Sequence, residues 1–274
     1  MPLAPYDIDY LCTAIAARSG NQISASQSYL LEARLTPIAR SAGLADVQAL
    51  VAQLRSNPRN PLHDAITEAM TINETSFFRD VQPFDAMQSE ILPQLAERRR
   101  TTRSLSIWSA ACSSGQEAYS IAMLLRTNCP SFNTWNIRIH CTDLSEEMVR
   151  RTREGAFSQF EVNRGLPAPM LVRWFDRKGM QWQVKPELRQ MIEARKMNLT
   201  ENWSTLTQHD IVFLRNVLIY FDRKMKEQIL RRVHQAMRPD GYLFLGGGET
   251  LLQMNVPFER VTVGKTVCFR PVAV

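Results

Sequence analysis

From residue 105 onward, short apolar runs alternate with segments of helical periodicity, and this alternation constrains the fold more than any other feature of the chain. The runs read LSIWSAA, IRIHCTD, DIVFLRN and GYLFLGGGE, and the predicted helices between them cover about 115–127, 145–154 and 223–237. Strands that alternate with helices predict a parallel sheet with helices packed on its faces. The last stretch, FERVTVGKTVCFRP, predicts a hairpin that turns at Gly264.

The rest of the domain organisation follows from where this alternation is absent or interrupted. Residues 1–82 contain helical stripes and no strand run, which predicts a small all-helical domain. We expect a linker helix over 83–103, although Pro93 lies within it, and an α/β domain over 104–274. An insertion at about 156–197 carries one predicted helix, APMLVRWFDRKG, and two short strands, MQWQVK and IEARKMN. We expect a small β subdomain there.

Composition and cysteine usage favour a cytoplasmic protein. The chain has 274 residues, 45% of them apolar, but no apolar run approaches the roughly 18 residues of a membrane span. The first ten residues, MPLAPYDIDY, lack the basic and apolar regions of a signal peptide. The five cysteines form no C-x-x-C pair and have no metal-binding spacing with the four histidines. We therefore expect reduced thiols and no metal site.

The net charge of +6 is unevenly distributed along the chain. Residues 1–82 hold six Arg and eight Asp or Glu, a charge of −2, and the rest of the chain carries +8. A basic surface suits nucleic acid, an anionic membrane or an acidic protein. We interpret the basic run ERRRTTR, 97–103, as a solvated helix end rather than a nucleic-acid site.

The stretch WSAACSSGQEAYS, 108–120, resembles a nucleotide-binding turn that lacks most of its glycines. It joins the first apolar run to the first predicted helix, so it lies at the strand edge where α/β sheets bind ligands. The dinucleotide fingerprint uses three glycines to approach a pyrophosphate, but only Gly115 is present here. We therefore expect a ligand with an adenosine part and no phosphate, and S-adenosylmethionine meets that description.

Two carboxylates near strand edges are candidate cofactor ligands. Glu117, in the first turn of the predicted helix, would suit the cationic end of the cofactor, but it also completes a capping box with Ser114. Asp143 ends the second apolar run and could accept both hydroxyls of a ribose. The alternative for Asp143 is an N-cap, a position that Ser145 fills better.

Two asparagines follow further strands. Asn198, in NLT, could read an adenine edge, because a side-chain amide both donates and accepts. Asn216, in FLRNVLIYF, ends the fourth strand and would face the reacting end of the cofactor. Either residue could instead serve only as a turn residue.

Five segments in a fixed order make the interpretation specific: NETSFFRD, WSAACSSGQEAYSIAM, CTDLS, NLT and FLRNVLIYFD. Together they closely resemble the CheR family, the chemotaxis receptor glutamate O-methyltransferases. The resemblance covers nearly the whole chain. It implies the class I, Rossmann-like methyltransferase α/β sheet with an N-terminal all-helical domain and a small β insertion. It also implies S-adenosylmethionine as methyl donor and S-adenosylhomocysteine as product.

The family pattern assigns roles to the matching positions. It implies cofactor contacts from Asn73, Thr75, Arg79, Glu117, Asp143, Asn198, Leu199, Asn216 and Val217. Asp143 would contact the ribose, and Asn198 with the Leu199 backbone would contact the adenine. Asn216 and Val217 would line the reacting end. Many members read Glu-Glu-Pro where this chain reads QEA, a departure that keeps the second glutamate.

The implied reaction is methyl transfer to a glutamate side chain of a receptor. A glutamate with a pKa of about 4.3 is already ionised at neutral pH, so no general base is required. Positioning the reacting atoms in line can contribute roughly 7–11 kcal/mol. We expect Arg79 and Tyr220 to orient the reactants as catalytic residues. In the alternatives, Arg79 pairs with Asp80 on the surface and Tyr220 packs beside Phe221.

The resemblance also implies the partner. The segment SQSYLLEARLTPIARSAG, 26–43, matches the receptor-facing helix of the family, with Arg34 and Arg40 as receptor-binding residues. We expect the cytoplasmic helices of methyl-accepting chemoreceptors as partners, with no nucleic acid, no membrane insertion and a monomeric enzyme. The segment FDRKGMQWQVKPEL, 175–188, looks about three residues short against members that hold a receptor tail pentapeptide, so we expect no such tether.

Two other functions stay open at this point. A nucleic-acid methyltransferase would suit the basic charge, but the sequence lacks the Asn-Pro-Pro-aromatic run and the Pro-Cys nucleophile of such enzymes. A non-catalytic signalling adaptor that binds the cofactor or a nucleotide would tolerate loss of Arg79 or Tyr220, and both are present. Receptor methylation is therefore the hypothesis that the sequence favours.

Overall fold

The structure, a computed structural model, describes residues 3–23, 28–203 and 208–273. By their contacts these residues form two units. The first comprises the described residues up to Ile72 together with Asn198–Glu201 and Tyr220–Lys226, and the second comprises the rest. The division along the chain thus falls after residue 72, whereas the sequence predicts a domain boundary at 82.

The described N-terminal part of the first unit contains four α-helices: α1, Pro5–Ser19; α2, Ser28–Ser41; α3, Val47–Ser56; and α4, Leu62–Ala69. Their apolar stripes meet in one core, formed by Leu11, Ile15, Leu31, Leu35, Leu50, Leu54 and Ile66. α1 ends at Gly20, whose φ of 72° is a left-handed conformation typical of glycine at helix ends. The predicted all-helical domain is confirmed. Ser26 and Gln27, which open the stretch predicted to form α2, lie outside the described residues.

The second unit begins with α5, Gln82–Ala86, a π-helical turn, Met87–Ile91, and α6, Leu92–Arg98. The chain continues through β1, Ser104–Ala110; α7, Gln116–Asn128; β2, Asn136–Asp143; α8, Glu146–Glu154; β3, Ala156–Ser158; α9, Gln159–Val162; α10, Ala168–Trp174; β4, Phe175–Lys178; and β5, Gln181–Val184. It ends with α11, Pro186–Arg189; β6, Ile192–Lys196; β7, His209–Leu214; α12, Arg223–Gln235; β8, Met237–Leu245; β9, Phe258–Val263; and β10, Thr266–Pro271.

The main sheet of the described residues has the strand order β6-β2-β1-β7-β8-β10-β9. The first five strands in this order are parallel, and β10 is antiparallel to both of its neighbours. The chain order reverses between β1 and β7, and open α/β sheets bind ligands at such a switch point, outside the carboxyl ends of the strands. The predicted alternation is confirmed, and so is the closing hairpin with Gly264 between β9 and β10.

One predicted strand lies in a different sheet from the one expected. The sequence assigns IEARKMN to the β insertion, but β6 pairs in parallel with β2, from Ile139 opposite Ile192 to Asp143 opposite Lys196. That assignment is wrong. β6 is an edge strand of the main sheet, and most of its residues are exposed or half-buried. An exposed edge strand has the same polar composition as a strand of a small surface sheet, so the sequence pattern did not distinguish the two.

The insertion contains a three-stranded antiparallel sheet in the order β3-β5-β4. β5 confirms the strand predicted in MQWQVK, but β4 occupies the end of the segment predicted as a helix. The rings of Phe157 and Phe175 lie 5.0 and 5.9 Å from that of Phe77, measured between centroids. A Cβ on Gly165 would lie 2.0 Å from the carbonyl oxygen of Phe77. Only glycine permits that approach, which fixes the insertion to the NETSFFRD segment.

The predicted linker helix is a packed element of the second unit. Its buried residues enter the main core: Phe84, Met87, Ile91, Leu92 and Leu95. The backbone is helical without a break from Gln82 to Arg98, and the π-helical turn directly before Pro93 accommodates a residue that lacks a backbone N–H. Arg99 pairs with Asp210 at 2.8 Å and with Asp240 at 2.5 Å. The expectation of a solvated basic run is therefore wrong for Arg99.

Candidate active site

The turn between β1 and α7 is closed by its own backbone hydrogen bonds. The N–H of Cys112 donates to the carbonyl of Thr142 at 2.9 Å, and that of Gly115 donates to the carbonyl of Cys112 at 3.1 Å. The N–H of Ser113 donates to Oδ2 of Asp143 at 2.8 Å. A phosphate site needs several such groups directed at the ligand. Here they are used internally, one of them on a carboxylate, so the turn suits a neutral sugar better than a pyrophosphate.

Asp143 ends β2 and is 6% exposed. Besides the bond from Ser113, its Oδ1 accepts from the N–H of Ser145 at 3.0 Å. A carboxylate is an acceptor with about four lone-pair sites, which is the chemistry that ribose hydroxyls require of a partner. Ser145 itself caps α8 through the N–H of Met148, so the N-cap alternative for Asp143 is wrong.

Glu117 is held by a hydroxyl and a buried arginine. Its Oε1 accepts from Oγ of Ser109 at 2.7 Å, and its Oε2 accepts from Nη1 of Arg215 at 3.1 Å. The cap position of α7 is occupied by Gly115 without any side-chain cap bond, so the capping-box alternative is wrong. The carboxylate therefore lies at the switch point with its position fixed from two sides.

Arg215 lies among the candidate site residues, and the sequence analysis did not predict it. Its side chain is 2% exposed, and Nη2 donates to Oδ2 of Asp80 at 2.8 Å and to the carbonyl of Arg79 at 2.9 Å. It thus joins Glu117 to the NETSFFRD segment. An arginine directly after an apolar strand was the available signal, because a buried charge requires acidic partners. Two carboxylates on one guanidinium leave a net charge of −1, which suits a cationic ligand.

The NETSFFRD segment contacts the same turn. Oγ of Ser113 donates to the carbonyl of Asn73 at 2.7 Å, and Thr75 and Arg79 are half-buried. Nη1 of Arg79 donates to the carbonyl of Glu74 at 3.2 Å. The predicted alternative, in which Arg79 pairs with Asp80, is wrong because the Asp80 carboxylate pairs with the buried arginine.

Asn216 lies directly beyond the carboxyl end of β7. Its N–H donates to Oε2 of Glu249 at 2.7 Å, and the same oxygen accepts from the N–H of Gly246 at 2.7 Å. A Cβ on Gly246 would lie 2.6 Å from Nδ2 of Asn216, so the approach of the two loops requires glycine. The neighbouring Val217 is half-buried. Both predicted residues therefore lie at the switch point.

Strained backbone is concentrated in these segments. Seven non-glycine residues of the described chain have a positive φ, and five of them are Phe78, Asp80, Ala111, Ser113 and Asn216. Such conformations are costly and persist only where the surrounding structure holds them. Their clustering in three motifs indicates a functional site rather than ordinary loops.

A buried thiol adjoins the turn but is unsuited to nucleophilic chemistry. The hydrogen bond with Cys141 and complete burial raise the pKa of Cys112 well above its usual value. Since the thiolate is the nucleophilic form of cysteine, this thiol stays protonated and inert.

Three of the predicted cofactor-binding and catalytic residues belong to the first unit. Nδ2 of Asn198 donates to the carbonyl of Arg18 at 2.6 Å, and its Oδ1 accepts from the N–H of Thr200 at 3.0 Å. The amide thus holds a turn, as in the alternative given above, and its contact with adenine stays a prediction. Leu199 is 7% exposed, and Tyr220 is half-buried at the end of a short 3₁₀ turn.

The two predicted receptor-binding arginines on α2 have different environments. Nη1 of Arg34 donates to the carbonyls of Ala69 and Thr71, at 3.2 and 2.8 Å, where α4 ends. Arg40 is exposed in the last turn of α2 and forms no side-chain bond with the described residues. Arg34 therefore supports the end of α4, a structural role that the sequence did not indicate.

The side chains of the second unit fit S-adenosylmethionine. A buried carboxylate lies at the end of β2, the closed turn suits a neutral sugar better than a pyrophosphate, and a cluster of net charge −1 lies beside it. These features match a ribose and a cationic methionyl end. In residues 3–23, 28–203 and 208–273, no three His, Cys, Asp or Glu side chains gather as metal ligands. That the enzyme needs no metal stays a prediction.

Known families match both units. The model described as CheR methyltransferase, SAM binding domain, matches residues 73–267, and the model described as CheR methyltransferase, all-alpha domain, matches residues 6–71. The chain belongs to the CheR methyltransferase family. This membership confirms the resemblance seen in the sequence and the predicted fold class. The protein is therefore a methyltransferase of chemotaxis that uses S-adenosylmethionine.

Relatives of this CheR chain are similar over almost their whole length. Chemotaxis protein methyltransferase Cher2 of Pseudomonas putida is 39% identical, with 92% of each chain covered. Chemotaxis protein methyltransferase 1 of Pseudomonas aeruginosa is 35% identical, with 98% of this chain and 99% of the relative covered. The protein of the same name from Vibrio cholerae is 33% identical, with 94% of each covered. Among the residues that the structure describes, every α-helix is too short or too polar to serve as a transmembrane span.

Proposed function

We propose that the protein transfers the methyl group of S-adenosylmethionine to glutamate side chains of chemoreceptors and forms glutamate methyl esters. The observation that carries the proposal is the Asp80–Arg215–Glu117 cluster beside the closed turn, in a chain matched by both CheR domains. The partners are the cytoplasmic helices of the receptors. A cytoplasmic location and a monomeric enzyme are further expectations of this proposal.

Bound S-adenosylmethionine would supply a methyl group activated by a sulfonium. The protein must hold the cofactor and the attacking carboxylate in line and exclude water. Asp143 would hold the ribose, and Glu117, fixed by Arg215, would hold the cationic end. No general base is needed, because a glutamate side chain is ionised at neutral pH.

Arg79 and Tyr220 are the proposed catalytic residues. One N–H of Arg79 bonds to the Glu74 carbonyl, and a guanidinium has five N–H donors, so several remain for a carboxylate or for the cofactor. Arg79 should contact one oxygen only, since a clamp on both would weaken the nucleophile. Arg79→Ala should remove most methylation, roughly a hundredfold or more in kcat, and leave the fold intact.

The deciding experiment is incubation with tritiated S-adenosylmethionine and membranes that contain chemoreceptors. We expect label in a receptor, released by alkali as an ester is, and its loss with Arg79→Ala. Label in RNA or DNA would support the nucleic-acid alternative. Cofactor binding without label in any substrate would support the adaptor alternative.

A further inference from the structure

A cavity of about 360 Å³ lies within the second unit, beyond the carboxyl end of β8 and beside the β9–β10 hairpin. Its wall includes Asp80, Arg215, Gly246, Glu249, Arg260 and Lys265. Arg215 also bonds to Glu117, and Glu249 also bonds to the N–H of Asn216. The cavity therefore adjoins the proposed methyl-transfer site through two residues that belong to both.

The acidic groups in this wall are already occupied. Oδ2 of Asp80 accepts from Arg215 at 2.8 Å. Oε2 of Glu249 accepts from two backbone N–H groups at 2.7 Å each, and its Oε1 accepts from the N–H of Ile219 at 3.3 Å. These bonds hold both carboxylates in place, and among the described residues neither forms an ion pair with Arg260 or Lys265.

The two other cations in the wall have no direct partner among the described residues. Arg260 on β9 and Lys265 at the hairpin turn are exposed, and their side chains form no hydrogen bond or ion pair with residues 3–23, 28–203 or 208–273. With Arg215 they bring three cations to a wall that holds two carboxylates, and an anionic side chain that met Arg260 and Lys265 would gain two direct partners.

The surroundings of the cavity favour a protein segment over a small anion. Val81, which follows Asp80, is 54% exposed, and Leu252, two residues after the lining Thr250, is 76% exposed. Ile219, whose N–H bonds to Glu249, is 54% exposed. Large apolar side chains exposed around a charged pocket suit an amphipathic segment that carries an acidic side chain.

We infer that this cavity receives the carboxylate of a second acidic residue of the substrate protein, close to the one that is methylated, with Arg260 and Lys265 as the specificity-determining cations. The inference rests on the proposed function. A singly charged carboxylate suits the cavity better than a phosphate dianion, because Asp80 and Glu249 also face it. Binding this second carboxylate would orient the substrate segment and hold the reacting glutamate in register.

The test compares Arg260→Gln, Lys265→Gln and the double variant with the wild type on chemoreceptor membranes. Exposed ion pairs are weak, so each single variant should raise KM for the receptor roughly twofold to fivefold, and the double variant about fivefold to tenfold. kcat and calorimetric affinity for S-adenosylhomocysteine should change less than about twofold. Arg100→Gln is the matched control, since it removes one exposed charge near the amino-terminal end of β1 and should behave as wild type.

A second arm identifies the partner of the cations. In a receptor whose acidic residues beside the methylation site are changed to Gln, KM should already be raised, and the double variant should raise it no further. An equal effect of the double variant on both receptors, or no effect on either, overturns the inference. Inorganic phosphate titrated into the wild type should not bind, and phosphate binding that the double variant abolishes would make the cavity a phosphate site instead. A wild-type enzyme that leaves receptors unlabelled would count against the proposed function itself, before any variant is compared.

Discussion

At the scale of single residues, Asp143 is both a cofactor ligand by proposal and a support of the turn that it faces. Its carboxylate accepts hydrogen bonds from the backbone N–H groups of Ser113 and Ser145. Asp143→Ala should lower the affinity for S-adenosylhomocysteine by about tenfold to a hundredfold, since hydrogen bonds to a charged group contribute about 1.5–3 kcal/mol. Calorimetry measures the change.

The matched control for Asp143 is Ser145→Ala. It removes the cap of α8, which should cost about 1 kcal/mol of stability and leave cofactor affinity unchanged. Unaltered affinity in Asp143→Ala would remove this residue from the ribose site.

Arg215 offers a second prediction at this scale. Arg215→Gln leaves the nearly buried Glu117 without its ion-pair partner, and breaking a buried pair from one side costs about 3–5 kcal/mol. We expect a loss of that order in the free energy of unfolding, measured by urea titration. The double variant Arg215→Gln with Glu117→Gln should recover part of the loss, because no unpaired charge then remains. Wild-type stability in Arg215→Gln would contradict this account.

At the scale of elements, α2 carries two arginines with different roles: Arg34 is structural, and Arg40 is a candidate receptor contact. Arg34 bonds to two carbonyls at the end of α4, so Arg34→Ala should destabilise the helical unit by about 1–3 kcal/mol. Arg40→Glu should instead raise KM for receptor and leave thermal stability and cofactor affinity unchanged. A normal receptor KM for Arg40→Glu would remove α2 from the proposed interface.

The hairpin β4–β5 gives the second prediction at this scale. Its strands are joined by only two residues, Gly179 and Met180, and Gly179 has a φ of 60°. A peptide added as an edge strand would gain affinity from main-chain hydrogen bonds. A turn this short leaves no loop that could also contact the aromatic side chains of such a peptide. Calorimetric titration with an Asn-Trp-Glu-Thr-Phe peptide should show no binding, and methylation of a tail-less receptor should proceed. Micromolar binding would show that the strand edge binds the peptide without a longer loop, and would contradict the prediction.

At the scale of the whole molecule, a buried histidine at the amino-terminal end of the sheet should make stability depend on pH. Burial, followed by the charges of His140, Arg195 and Arg238, lowers the pKa of His209 to about 3. Its Nδ1 bonds with Oγ of Ser106 at 2.8 Å, and its Nε2 is buried without a partner among the described residues. The folded protein therefore keeps this ring neutral.

As pH falls, the unfolded chain protonates His209 near pH 6.5, whereas the folded chain does so only near pH 3. The contribution of neutral His209 to stability is therefore complete above about pH 6.5 and is lost as pH falls toward 3. By pH 4.5 the loss should reach roughly 2–3 kcal/mol. Urea titrations at several pH values should show this slope, and His209→Gln should flatten it. His234→Gln is the control, and an unchanged slope in His209→Gln would contradict the assignment.

The sequence by itself determined the fold class, the helical domain and the position of the cofactor turn. These features depend on local periodicity and on short motifs, which can be recognised from residues that are close together in the sequence. The sequence predicts Asp143, Glu117 and Asn216 as site residues because each follows or borders an apolar run, and strand ends in a parallel sheet share one edge. The family motif then specified methyl transfer.

Only the tertiary structure decided which charges meet and which strands pair. Arg215 reaches Glu117 across 98 residues and Asp80 across 135, and no local pattern encodes such a contact. The polar edge strand β6 joined the main sheet because β2 offered an unpaired edge, not because its own sequence differed from that of the insertion. Burial and pairing depend on residues distant in the chain, and those residues also determined that Arg34 supports α4 while Arg40 remains exposed.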